Sequence, residues 1–97
     1  MVKHIILWQL KDDIDKASVK KGIKESLEAL VGVIPGLIEI KVYTEGLASS
    51  NAEVMLYSVF EDTDALKGYI VHPAHIAAAD NMVRPFTKTR LCMDFED

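Results

Sequence analysis

Hydrophobic and polar positions along this chain change their period several times, and each change predicts an element. From Val2 to Leu10 one alternating set is Val2, His4, Ile6, Trp8 and Leu10, and the other is Lys3, Ile5, Leu7 and Gln9. Both sets are largely apolar, so this stretch reads as a strand covered on both sides. Asp12, Asp13 and Asp15 then supply turn and N-cap chemistry. From about Lys16 to Val33 the apolar residues fall at Val19, Ile23, Leu27, Leu30 and Val31, with Ile34 just beyond. Steps of three and four predict an amphipathic helix, with Lys20, Lys21, Lys24, Glu25 and Glu28 on its wet side. Pro35 and Gly36 stop it.

Leu37 to Glu45 alternates again, Ile38, Ile40 and Val42 against Glu39, Lys41 and Tyr43, and predicts a second strand. Gly46 to Asn51 is small and polar, a hairpin loop leading into a third strand, Glu53 to Phe60. Asp62 and Thr63 open a short helix carrying Ala65, Leu66, Tyr69 and Ile70. Val71-His72-Pro73 breaks it, because the ring of Pro73 disfavours a helical residue before it, while Pro73 itself suits the first position of a new helix. That helix is expected to run to about Val83, and Lys88 to Glu96 forms the last strand. The order β-α-β-β-α-α-β predicts one α+β domain over residues 1–97. It is ferredoxin-like, with a four-stranded antiparallel sheet and its helices on one face.

That arrangement leaves the sheet face bearing Ile5 and Leu7 without cover. Hydrophobic residues make up 49% of the chain, at the upper end of the usual range. A second copy meeting the first sheet to sheet would use the excess and close a dimeric α/β barrel. The net charge of −4, with no basic stripe, argues against nucleic acid. A lone cysteine, Cys92, forbids an internal disulfide and suits a reducing compartment. No stretch approaches the roughly 20 apolar residues of a membrane span. The expectation is a cytoplasmic protein that engages neither nucleic acid nor membrane.

Two histidine motifs make the sequence familiar. Val2-Lys3-His4-Ile5-Ile6-Leu7-Trp8 and Tyr69-Ile70-Val71-His72-Pro73-Ala74-His75, with Ile34-Pro35-Gly36 and Phe60-Glu61-Asp62 between them, resemble the stress-responsive α/β-barrel (Dabb) family. The resemblance covers essentially the whole chain. It implies a small dimeric barrel, and for many members of the family no reaction is assigned. A plant member cyclises a linear polyketide thioester by an aldol reaction. Its catalytic groups are a histidine of the first strand, a tyrosine, and the second histidine of the His-Pro-Ala-His motif. By motif these fall on His4, Tyr69 and His75.

Read as residues, the same positions carry bland and sharp interpretations side by side. His4 on an apolar strand is either a core histidine hydrogen-bonded to a helix or a polar group facing a cavity between sheet and helices. His75 falls in the opening turn of the helix after Pro73, where the helix end disfavours an imidazolium and leaves a neutral base, or merely fixes the helix entry. Tyr69 either packs or donates a hydrogen bond to a carbonyl oxygen that becomes anionic. Ile6, Trp8 and His72 are expected to contact a ligand, although His72 also reads as the ring that closes the turn between two helices. Cys92 reads as a packed thiol, and Asp12-Asp13 and Glu61-Asp62 as capping groups. No metal site or other cofactor is expected, since His72 and His75 lack a nearby Cys, Asp or Glu.

Three functions compete: a ligand-binding or stress-protective homodimer with a small apolar pocket, a cofactor-free lyase or cyclase acting on a small carbonyl compound with a histidine base, and an oxygenase or haem-binding barrel. The last rests on fold analogy alone.

Overall fold

The computed structural model describes residues 1–97. Its elements are β1 (Val2–Leu10), α1 (Lys16–Glu28), β2 (Leu37–Tyr43), β3 (Val54–Phe60), α2 (Thr63–Val71), α3 (Pro73–Ala78) and β4 (Thr87–Glu96). Between α3 and β4 the chain makes a π-helical turn, Ala79–Val83, and a 3-10 turn, Arg84–Phe86. The sheet is antiparallel, in the order β2-β3-β1-β4, with the helices on one face. This is the ferredoxin-like α+β fold.

Local chemistry accounts for the element ends. The Asp15 carboxylate accepts from Ser18 N at 3.3 Å and caps α1, and the Asp62 carboxylate accepts from Ala65 N at 2.8 Å and caps α2. The helix expected to reach Val33 leaves α geometry after Glu28. Leu30 N donates to the Leu27 carbonyl and Val33 N to the Leu30 carbonyl, tightening the chain into turns, and Gly32 sits at φ +87°. Leu30 and Ile34 stay buried, so the apolar spacing persists through a turn that is no longer α-helical. Gly36 follows at φ +80°, and a Cβ there would lie 2.5 Å from the Ala65 Cβ. Only glycine allows β2 to start so close to α2.

The alternation in β1 is realised in full. Val2, His4, Ile6, Trp8 and Leu10 are buried beneath the helices, while Lys3, Ile5, Leu7 and Gln9 are half-buried on the opposite face. The inner face packs on Val19, Ile23 and Leu27 of α1 and on Leu66 and Tyr69 of α2. The other face lacks any helix. It shows Ile5 and Leu7 beside Leu91, 70% exposed, and Met93, 66% exposed. No helix is long and apolar enough to cross a membrane.

Candidate active site

β1 is central in the sheet, and its register decides what surrounds His4. Ser58 of β3 lies opposite it on one side and Asp94 of β4 on the other. The Ser58 hydroxyl donates to the His4 carbonyl at 2.8 Å. The Asp94 carboxylate contacts His4 Nδ1 directly, and because a carboxylate only accepts, Nδ1 carries the hydrogen. In neutral His4 this leaves the Nε2 lone pair free. The ring is buried beside a carboxylate that is itself exposed.

Tyr69 is fully buried on the inward side of α2. Its ring lies between Phe60, centroids 4.9 Å apart, and His75, centroids 4.2 Å apart, with His4 at 6.1 Å. The hydroxyl has no hydrogen-bond partner. A buried donor left unpaired costs about 1–3 kcal/mol, so this hydroxyl is free to donate into the cavity that Tyr69 lines. Burial pushes its pKa far up and keeps the phenol protonated.

His75 Nδ1 lies 3.2 Å from the Ile70 carbonyl, which can only accept, so the imidazole donates there and keeps Nε2 as a lone pair. Its pKa is held below the ordinary histidine value, first by burial and, against the raising effect of the Ile70 bond, by the positive charges of Arg84 and Arg90. The expected cause was the positive end of a helix. α3 is only six residues long, and desolvation is the larger influence.

His4, Tyr69 and His75 line one cavity of about 170 Å³ between sheet and helices. Its apolar wall includes Ile6, Trp8, Leu27, Leu56 and Val83, and Arg84, Thr87 and Arg90 complete the lining. The π-helical turn supplies Ala79 and Val83 to it. Such turns are frequent at functional sites. His72 stands apart from the other residues expected to meet a ligand. Its Nδ1 accepts from Ala74 N at 3.1 Å and caps α3, and the ring faces a separate groove lined by Gly36, Glu61 and Asp62.

Cys92 departs from the packed thiol expected of it. It is exposed on β4, with Sγ 3.5 Å from Asp94 Oδ1 and 3.8 Å from His4 Nδ1. His4, Cys92 and Asp94 thereby bring three potential metal donors within 4.8 Å of one another. The chemistry suits a cation poorly. Partial burial and the Asp94 charge push the Cys92 thiol up, the Arg90 guanidinium lies beside it, and His4 and Asp94 already satisfy each other. Sequence reasoning missed Asp94, Arg84 and Arg90 as site residues. The alternation of β4 places Arg90, Cys92 and Asp94 on one face, but only the register against β1 turns that face toward His4.

Two histidines and a tyrosine thus meet in a cavity beneath the helices of a four-stranded ferredoxin-like sheet. The chain belongs to the stress responsive A/B barrel domain family, which matches residues 2–97. It is 29% identical to olivetolic acid cyclase of Cannabis sativa over 97 residues, 97% of this chain and 94% of that protein. A dimeric ferredoxin-like protein of unknown function from Bacteroides fragilis superposes with a TM-score of 0.90 at 34% identity, covering 99% of this chain and 95% of that one. The hydroxynitrile lyase of Passiflora edulis shares the fold, with a TM-score of 0.80 at 15% identity over 97% of this chain and 90% of that one.

Proposed function

We propose that the protein is a homodimer in which each subunit binds a small carbonyl compound and moves a proton at the carbon beside the carbonyl, without a cofactor, as a lyase or cyclase. The observation that carries this reading is the buried, unpartnered Tyr69 hydroxyl between two histidines. Taking a proton from carbon requires a base that is neutral and accessible, and a donor that steadies the enolate oxygen as it forms. His75 is the base: its depressed pKa keeps it neutral at pH 7, and its bond to the Ile70 carbonyl leaves Nε2 as the acceptor. Tyr69 is the donor, since its raised pKa keeps the proton on oxygen until an anion appears beside it. His4, fixed by Asp94, presents its Nε2 lone pair to the cavity and accepts from a hydroxyl or enol of the ligand. Ile6 and Trp8 supply apolar contact to the ligand.

Likeness to olivetolic acid cyclase along the whole chain supports the cyclase reading. The dimeric B. fragilis protein supports a homodimer, and the exposed Leu91 and Met93 beside Ile5 and Leu7 favour pairing through that sheet face. The test is exchange of the α-protons of 2-octanone in D2O, followed by NMR. Wild-type protein is expected to accelerate exchange, and His75→Ala to lower that acceleration about a hundredfold, the lower end of general-base contributions. If wild-type protein binds the ketone but leaves exchange at the buffer rate, the domain is a binding module and the catalytic reading fails.

A further inference from the structure

The lining of the cavity holds two cations that the proton transfer leaves unused. Arg84 and Arg90 both line it, and no aspartate or glutamate does, in a chain whose net charge is −4. Arg84 is neutralised by Asp80, one helical turn before it. Arg90 has no such partner. It lies beside the Cys92 thiol, and Asp94, the carboxylate further along the same face of β4, is engaged by His4. A guanidinium left without a counter-ion beside an apolar cavity is a fork of donors shaped for a carboxylate.

We propose that the ligand of this cavity is an amphipathic carboxylate, with its anionic end held by Arg90 at the rim and its apolar chain running inward past Trp8. The inference rests on the reading above that the cavity binds a small carbonyl compound, and it adds the charge that compound carries. Arg90 is exposed, so the bound carboxylate keeps part of its water and escapes the full cost of burying an ion. Thr87, also on the lining, adds a hydroxyl donor to a cavity that has no acidic side chain. Beyond the rim the wall is Ile6, Leu27, Leu56 and Val83, which accept only hydrocarbon. An anion fixed at Arg90 therefore sets how far along the chain a carbonyl must lie to meet Tyr69. Arg90 is a specificity-determining residue on this account.

Trp8 is the single tryptophan of the chain, and it is buried against the cavity. Its emission reports occupancy. The probes are octanoate and 1-octanol, equal in chain length and different in charge, titrated by calorimetry with Trp8 emission followed in parallel. Octanoate is expected to bind at least tenfold more tightly than 1-octanol. Arg90→Gln is expected to weaken octanoate about tenfold, as loss of one charge-assisted contact does, and to leave 1-octanol unchanged. Lys88→Gln removes the same charge from a residue that faces Asp12 instead of the cavity, and is expected to leave both affinities unchanged. Equal binding of the two probes, or an octanoate affinity indifferent to Arg90→Gln, overturns the proposal while the cavity reading stands. Equal weakening by Lys88→Gln and Arg90→Gln also overturns it, since net charge alone would then explain the preference. If neither probe binds, the small-molecule reading of the cavity falls as well.

Discussion

Tyr69 sets stability against chemistry at a single atom. Its hydroxyl is buried without a partner, so deleting it removes a cost and no contact. Tyr69→Phe is expected to melt at or above the wild-type temperature, by up to several degrees, and to lose most of the α-proton exchange. A clear fall in melting temperature would mean that the hydroxyl has a partner in solution. His75 makes a second claim that pH can test. Its pKa lies below the ordinary 6.5 of histidine, with burial the first cause. A depressed histidine pKa means that the fold favours the neutral ring, a contribution present above the unfolded value and lost as pH falls through the folded one. Exchange is expected to fall along the same limb as the base becomes protonated. In His75→Ala the residual rate is expected to show no such limb between pH 5 and 7, measured by NMR across that range. That His4, Tyr69 and His75 share one cavity was legible, because the motifs that carry them are local in sequence. Asp94 and Arg90 were not, because their place depends on which residue of β1 they face.

The hydrophobic period located every strand and helix, and its errors lie at their ends. The helix expected to reach Val33 stops at Glu28, and the one expected to reach Val83 is α-helical only to Ala78. In both places the apolar spacing continues through turns of another geometry, and burial alone cannot distinguish these from α-helix. Gly36 was read as a helix stop. Its second duty, the close approach to Ala65, is a tertiary fact. Gly36→Ala adds a Cβ to a left-handed backbone and drives it against Ala65. It is expected to cost about 2–3 kcal/mol. Gly32→Ala carries the same backbone penalty with nothing within 4 Å of the new atom, and is expected to cost about 1 kcal/mol. Thermal melts of the two variants check the order. If Gly32→Ala were the more damaging, the contact with Ala65 would not be what demands glycine.

The open face of the sheet is where the chain as a whole departs from a self-sufficient domain. Leu91 and Met93 are exposed beside Ile5 and Leu7, and water gains nothing from them. Leu7→Asp places a carboxylate at the centre of the expected contact between two copies, where burial without a partner costs several kcal/mol. Light scattering is expected to show a dimer for the wild type and a monomer or an unfolded chain for the variant. A folded dimer of Leu7→Asp would mean that the copies meet elsewhere. The strand order carries a consequence for how the protein is made. Within this domain β1 is made before both of its neighbours, β3 and β4, and β4 follows every other element. β1 must wait for the rest of the domain before its second edge is paired, a non-local closure of the kind that slows folding. The pairing of His4 with Asp94 spans 90 positions. A growing chain therefore holds His4 well before the carboxylate that orients it, so a chain that lacks β4 would carry His4, Tyr69 and His75 without the strand that closes the cavity around them.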